Sequence, residues 1–235
     1  MPILASSTIR RATDLLMDTT SVRWPANELV RFLNDGQREL AIARPDATSR
    51  TVTVNLVPGT RQTLEAMALV PAPTKLIEIV RNTAAASVKK AVRLVSRQLL
   101  DAQTPGWHGL AGTVDIAHYM FDAREPRTFY VYPPALATAQ LEVTYSSLPV
   151  DVAEPADGAL FSAVAGNLGV PDIYGNAILD YILYRAYSKD SDFAGNAARA
   201  ASHYAAFLAS LDLEIKATLA VQPQIQPGRG SAATT

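Results

Sequence analysis

The stretch WPANELVRFLNDGQRELAIARPDATSRTVTVNLV, residues 24–57, contains the change of period that decides the fold. Its first half places apolar or small residues at helical spacing: Leu29, Phe32, Leu33, Gly36, Leu40 and Ala43. This pattern predicts an amphipathic helix. Pro25 fits the first helical turn, where a missing amide does no harm. The helix should end at Arg44, because Pro45 cannot continue it.

The second half of the stretch changes to a period of two. Val52, Val54 and Leu56 alternate with polar residues, which predicts a strand over 51–57, and Pro58-Gly59 should then turn the chain. Further strands are predicted at 76–81, 88–92, 116–121, 127–132 and 140–146, with a short capped helix at 96–102. Several short strands bounded by Pro and Gly predict a small antiparallel sandwich or barrel.

The helical period appears at both ends of the chain. An amphipathic helix is predicted at 6–19, capped by Ser6 or Ser7. Another follows at 172–189, and a long one capped by Asp190 or Ser191 reaches about residue 219, roughly 40 Å. The predicted stripe of this last helix consists of Ala194, Ala197, Ala198, Ala201, Ala205, Leu208, Leu211 and Ile215.

These elements predict an α+β fold in which N- and C-terminal helices form a bundle and an antiparallel β domain is inserted between them. The expected boundaries are 1–47 for the N-terminal helices and 48–150 for the β domain. A loop without clean period then covers 151–170, the C-terminal helices cover 171–220, and 221–235 reads as a flexible tail.

Composition argues against several functional classes. The net charge of −1 predicts no general attraction to nucleic acid or membranes. The chain has no cysteine, and its three histidines show no zinc-protease spacing, so no metal or cofactor is predicted. The N-terminus lacks the apolar core of a signal peptide, and no segment is long enough to span a membrane. Charged residues make up only 18%, which suggests that partner subunits cover part of the surface.

Two other functional classes remain as alternatives. One is a small hydrolase using the carboxylates Asp115 and Asp122 with His118. The other is a DNA-binding regulator, although no helix-turn-helix with basic recognition residues is evident. The basic run Lys89, Lys90, Arg93 and Arg97 could meet phosphate, but alternation with apolar residues is more typical of a solvated face.

Ordered local strings along the chain resemble the head-to-tail adaptor, or tail tubular protein A-like, family of short-tailed bacteriophages. The strings are RWP at 23–25, FLNDGQ at 32–37, RPDA at 44–47, PGTRQTL at 58–64, PGWH at 105–108, PRTFYVYPP at 126–134, PDIY at 171–174, AILDYILYRAYSKD at 177–190 and HYAAF at 203–207. Together they extend from about residue 20 to 215. Ala66-Met67 departs from the family pattern, which more often has a proline there.

The resemblance implies a structural subunit and not an enzyme. Such adaptors form a ring, expected to be dodecameric, between the portal protein and the tail nozzle (tail tubular protein B), with tail fibres as a further candidate partner. Double-stranded genomic DNA would pass through the lumen without sequence-specific contacts. The expected location is the neck and tail of the virion, after assembly in the host cytoplasm.

Aromatic and cationic residues are the candidates for subunit and portal contacts, since Tyr, Trp and Arg are enriched in interface hot spots. The candidates are Trp24, Arg31, Tyr184, Arg185, Tyr187, Lys189, Pro223, Gln224, Ile225 and Arg229. For the tyrosines, a place in the core of the helical bundle is the alternative.

Overall fold

The computed structural model describes residues 3–193 and 195–221, with side chains to residue 212. The helices are α1 (Ala5–Leu15), α2 (Ala26–Ala43), α3 (Arg97–Gln103), α4 (Gly175–Lys189) and α5 (Asn196–Val221). The strands are β1 (Ser49–Asn55), β2 (Gly59–Thr63), β3 (Pro73–Asn82), β4 (Arg93–Leu94), β5 (His118–Phe121), β6 (Thr128–Ala135) and β7 (Gln140–Ser147). The α+β class is confirmed.

Helix α4 is the centre of the helical part. It contacts α1, α2 and α5, and these four helices share one hydrophobic cluster with the segment that precedes α4. Gly36 permits the close approach of α2, because a Cβ there would lie 2.9 Å from the Tyr181 ring. On the other side of α4, Phe207 of α5 is fully buried, with its ring 5.2 Å from that of Tyr181.

The strands form two separate sheets, ordered β1-β7-β3 and β2-β6-β5-β4. A second hydrophobic cluster fills the space between them and includes Phe129, Val131, Leu141, Val143 and Tyr145. The described strands do not close into a barrel, so of the two predicted architectures the two-sheet arrangement is present. One pairing departs from the antiparallel expectation, since β4 and β5 run parallel.

Some local predictions were confirmed and others were wrong. The chain turns at Pro58-Gly59 as predicted, and this turn leads from one sheet into the other, because β1 pairs with β7 while β2 pairs with β6. Residues 88–92 make one isolated bridge, and the strand there is Arg93–Leu94. Helix α1 begins at Ala5 with no side-chain cap, so neither Ser6 nor Ser7 caps it.

The long C-terminal helix also differs from its prediction. It begins at Asn196, because the chain first makes a turn in which Asn196 donates to the backbone carbonyl and carboxylate of Asp190. Its buried face carries Ala200, Phe207 and Leu211. The predicted alanine stripe mostly faces solvent: Ala197, Ala198, Ala201, Ala205 and Leu208 are exposed, whereas Leu211 is buried. Ala194 and the Ile215 side chain lie outside the described residues.

The irregular segment between β7 and α4 is packed against α2. Asn34 donates to the Val152 carbonyl at 3.0 Å and accepts from the Val152 amide at 2.9 Å. Gln37 accepts from the Gly169 amide at 2.5 Å, and Val164, like Val152, belongs to the helical cluster. Two buried polar residues of α2 therefore fix a segment that has almost no regular structure of its own.

The chain passes between the helical and β parts twice, and the two crossings touch. Thr48, just before β1, has its hydroxyl 3.0 Å from that of Ser146, near the end of β7. The Ser147 hydroxyl donates to the Thr48 carbonyl at 3.1 Å. The entrance and the exit of the β part are thus hydrogen-bonded side by side.

Among the described helices, none combines the length and apolar character that a membrane crossing requires. The boundaries proposed from sequence at residues 47, 150, 170 and 220 stay predictions.

Candidate interaction surfaces

The loop between α1 and α2 is built around the buried carboxylate of Asp18. That carboxylate accepts hydrogen bonds from the backbone amides of Val22 at 3.1 Å, Arg23 at 2.8 Å and Trp24 at 2.8 Å. Met17 and Ser21 have φ angles of 57° and 54°, a left-handed conformation that non-glycine residues rarely adopt. Three amide donors on one carboxylate therefore hold the loop in an otherwise unfavourable conformation.

The Asp18 contacts predict a pH-dependent stability. Burial opposes ionisation of Asp18, but the amides of Trp24, Val22 and Arg23 outweigh it and keep the pKa of this carboxyl below its ordinary value of 3.8. A lowered folded-state pKa stabilises the fold above the unfolded-state pKa, and this contribution is lost as the pH falls through the folded-state value. We expect Asp18→Asn to lower the free energy of unfolding at neutral pH. The difference from the parent chain should shrink as the pH falls below about 4.

Urea unfolding followed by circular dichroism at a series of pH values measures this difference. Asp14→Asn is the matched control, since Asp14 lies four residues earlier on α1, is exposed, and is 4.0 Å from Arg10. A destabilisation by Asp18→Asn that stayed constant from neutral to acidic pH would contradict the role given to the carboxylate.

The same loop forms one wall of a groove of about 310 Å³ between α1 and the α4–α5 turn. Its rim is apolar and exposed: Met17 is 92% exposed, Val22 80% and Phe193 62%. The Arg23 guanidinium lies 5.0 Å from the Trp24 ring and 5.3 Å from the Phe193 ring. Exposed apolar side chains around one groove are typical of protein-binding surfaces. Sequence analysis missed this groove, because nothing in its periodicity separates exposed from buried apolar residues in a loop.

Trp24, one of the predicted contact residues, lies beneath this groove. It is only 6% exposed, and its indole nitrogen donates to the Ala186 carbonyl at 3.3 Å. Trp24 thus packs the start of α2 against α4 and offers little surface to another chain.

The three predicted cationic candidates that lie within the described residues have partners in the chain. Arg31 on α2 donates to Glu154 at 2.9 Å, and Lys189 at the end of α4 donates to Glu28 at 2.6 Å. The Arg185 guanidinium is 5.4 Å from the centre of the Phe32 ring. These side chains are roughly half exposed, so their ion pairs contribute little stability and can be exchanged for contacts with another protein.

The two tyrosine candidates differ in burial. Tyr184 is half-buried, with its ring 4.7 Å from that of Tyr204. Tyr187 is 9% exposed and stacks on His203, whose Nδ1 is 2.9 Å from the Asp180 carboxylate. The other candidates, Pro223, Gln224, Ile225 and Arg229, lie outside the described residues.

The carboxylates proposed for a hydrolase do not lie on one cavity. Asp115 and His118 line a cleft of about 450 Å³, whereas Asp122 lines a different cleft of about 430 Å³. Asp115 accepts from the Ser87 hydroxyl and from the Val88 amide. The Arg124 guanidinium lowers the pKa of Asp122 to about 2, so this carboxyl holds no proton to donate near neutral pH. Within the described residues no cluster of three His, Cys, Asp or Glu side chains suits a metal ion.

Comparison with known families identifies the chain's relatives. A family model described as SU10 adaptor protein matches residues 4–229. The chain belongs to the SU10 adaptor protein family. This is a family of structural phage adaptors, which places the chain among virion proteins that contact other head or tail proteins. The comparison with curated proteins gives no match.

In this member of the SU10 adaptor family, the exposed apolar groove and the exposed cations lie on different elements. The groove involves the α1–α2 loop and the α4–α5 turn. The cations Arg31, Arg185 and Lys189 lie on α2 and α4. The helical part thus exposes two chemically distinct surfaces, one apolar and one cationic.

Proposed function

We propose that this chain is a ring-forming head-to-tail adaptor that joins the portal protein to the tail nozzle of a short-tailed phage, with double-stranded DNA passing through the ring. The observation that carries the proposal is the family match over residues 4–229, nearly the whole chain. The ordered strings shared with tail tubular protein A-like adaptors support the finer assignment. A dodecamer is the proposed ring, and tail fibres are proposed as a further contact.

The distribution of apolar surface supports self-association. The groove rim exposes Met17, Val22 and Phe193, and the solvent-facing side of α5 has no charged residue among its described positions from 200 to 211. A subunit that contacts its neighbours through two different surfaces makes a heterologous interface, which closes into a ring when the rotation between copies permits.

Among the predicted contact residues, we propose Arg31, Tyr184, Arg185 and Lys189 as those that reach a partner directly, together with residues 223–229. Trp24 and Tyr187 contribute indirectly. Both are buried, and they hold α4 against its neighbouring helices.

Electron cryo-microscopy of purified virions tests the proposed function, using a chain labelled at one terminus. We expect density for the label in a ring at the vertex where the tail joins the capsid. Label at the capsid faces, or on no particle at all, would overturn the adaptor assignment.

The contact residues are tested in the same particles with Arg31→Ala combined with Lys189→Ala. The variant should fold, because both side chains are about half exposed, yet it should enter particles less than the parent chain. Arg38→Ala is the matched control, since Arg38 is also on α2, about half exposed, and bridges to Asp151 of the same irregular segment. Equal incorporation of both variants would remove Arg31 and Lys189 from the interface.

A further inference from the structure

The positive charge of the chain is concentrated in its β part. Residues 48–147 contain ten Lys and Arg against seven Asp and Glu, a net charge of +3. The rest of the chain contains eleven against fifteen, a net charge of −4. The near-neutral total therefore hides two parts of opposite sign.

Two of these cations meet at one cleft. Lys90 and Arg93 line the cleft of about 450 Å³ together with His118. Arg93 on β4 is paired directly with His118 on β5, and His118 is paired with Tyr132 on β6. The backbones of Arg93, His118 and Tyr132 thus lie side by side on three adjacent strands, about 5 Å apart from one strand to the next.

The described residues leave these two cations without an acidic partner. Neither Lys90 nor Arg93 has an ion pair, although most arginines of the chain do. The Asp115 carboxylate also lines the cleft, and it already accepts from the Ser87 hydroxyl and the Val88 amide. Arg97, the fourth residue of the basic run, lies 3.5 Å from Asp101 and 5.0 Å from the Tyr130 ring. Its charge is therefore already paired within the chain.

His118 adds an imidazole to the lining of the cleft. Its Nδ1 is buried without a hydrogen-bond partner, and its ring stacks on that of Tyr132 at 6.1 Å. The cleft therefore combines the cations of Lys90 and Arg93 with the imidazole of His118.

We infer that the cleft lined by Lys90, Arg93 and His118 binds the phosphodiester backbone of double-stranded DNA. This rests on the proposed function, in which a duplex passes through the ring and each copy offers it one such cleft. A phosphodiester supplies one negative charge and two acceptor oxygens per nucleotide. Cationic side chains clustered in one cleft can bind such a group. Contacts of this kind are independent of sequence and weakened by salt, so they permit sliding.

Fluorescence anisotropy of the full-length chain with a labelled duplex of mixed sequence tests the inference across a salt series. Lys90→Glu combined with Arg93→Glu should weaken binding by about tenfold or more at low salt and reduce the slope of log affinity against log salt by about 2. Unchanged thermal unfolding shows that the variant is folded.

The matched control is Arg50→Glu combined with Lys75→Glu. These exposed cations lie on β1 and β3 of the other sheet and have no ion pair among the described residues, so the net charge changes equally. The control should bind duplex like the parent chain, within about twofold. Equal losses in both variants would show that only net charge matters and would overturn the site. Polyglutamate that displaces the duplex as well as unlabelled DNA does would instead identify a general anion site and also overturn it.

Virions separate this inference from the proposed function. With the cleft variant, the chain should still form the ring at the vertex, while duplex binding in solution is lost. If the parent chain is absent from the vertex, the adaptor function is wrong. If the parent chain is at the vertex but the cleft variant binds DNA as well as the parent does, only the inference about the cleft is wrong.

Discussion

Phe207→Ala should lower the free energy of unfolding by about 3–5 kcal/mol, since removing a fully buried aromatic side chain loses its burial and leaves a cavity. Phe207 is 0% exposed, and its ring lies against Tyr181 at 5.2 Å and Tyr204 at 6.2 Å. It is the largest fully buried side chain among the described residues of α5, and this change removes its ring contact with Tyr181 of α4. Urea unfolding by circular dichroism measures the loss.

Leu208→Ala is the control for this prediction, because it removes an apolar side chain from the adjacent position of the same helix. Leu208 is 44% exposed, and its replacement should cost less than about 1 kcal/mol. If Phe207→Ala and Leu208→Ala were equally stable, the face of α5 that contains Phe207 would not be the buried one. The predicted alanine stripe would then be the buried face.

Asn82→Ala should destabilise the β part by about 2–4 kcal/mol, since each buried group left without a partner costs about 1–3 kcal/mol. The Asn82 side chain is fully buried and donates to the carbonyls of Lys90 at 3.0 Å and Ile116 at 2.8 Å. Its Oδ1 accepts from the Ile116 amide at 2.8 Å. The Asn82 side chain thus joins the end of β3 to the segments that contain Lys90 and Ile116, which lie outside the strands.

Asn55→Ala is the matched control for Asn82. Asn55 is an exposed asparagine at the end of β1, and its Oδ1 accepts only from the Gln140 side chain. Its loss should cost less than about 0.5 kcal/mol. Chemical denaturation of both variants compares them, and an Asn82→Ala chain as stable as Asn55→Ala would show that water replaces the lost hydrogen bonds. Because Lys90 and Ile116 also line the cationic cleft, Asn82→Ala should weaken duplex binding without altering any charge.

Sequence analysis succeeded where proline or a single clear period defines an element. Helix α2 lies at Ala26–Ala43, between Pro25 and Pro45, as predicted. It failed for α5 because alanine is compatible with either face of a helix. The buried face carries Phe207 and Leu211 together with half-buried His203 and Tyr204, so polar atoms interrupt the face that tertiary packing selects.

Strand pairing was not predicted from the sequence, because it depends on contacts between residues far apart in the chain. The alternation of Val52 and Val54 identifies β1, but it contains no information on the partner strand. The pairing of Val52 with Val143 joins positions far apart in the chain and depends on the shape of the inserted part as a whole.

For the candidate surfaces, sequence analysis named the right residue types without their environment. It identified Trp24 and Tyr187 as contact residues because of their chemistry, yet both are largely buried. It identified Lys90 and Arg93 among four basic residues, and only the structure shows that Arg97 is engaged by Asp101 while the other two are not. The charge difference between the two parts was present in the sequence and was hidden by the whole-chain sum.

The hydrogen-bonded crossings at Thr48, Ser146 and Ser147 bear on how such a gene can diversify. The roughly hundred residues between these crossings leave the helical part and return to it at almost one point. A recombination event that replaces this block therefore leaves the flanking helices in the same relative position. We expect a short peptide bridge between Thr48 and Ser146 to span the same gap, because their hydroxyls are 3.0 Å apart.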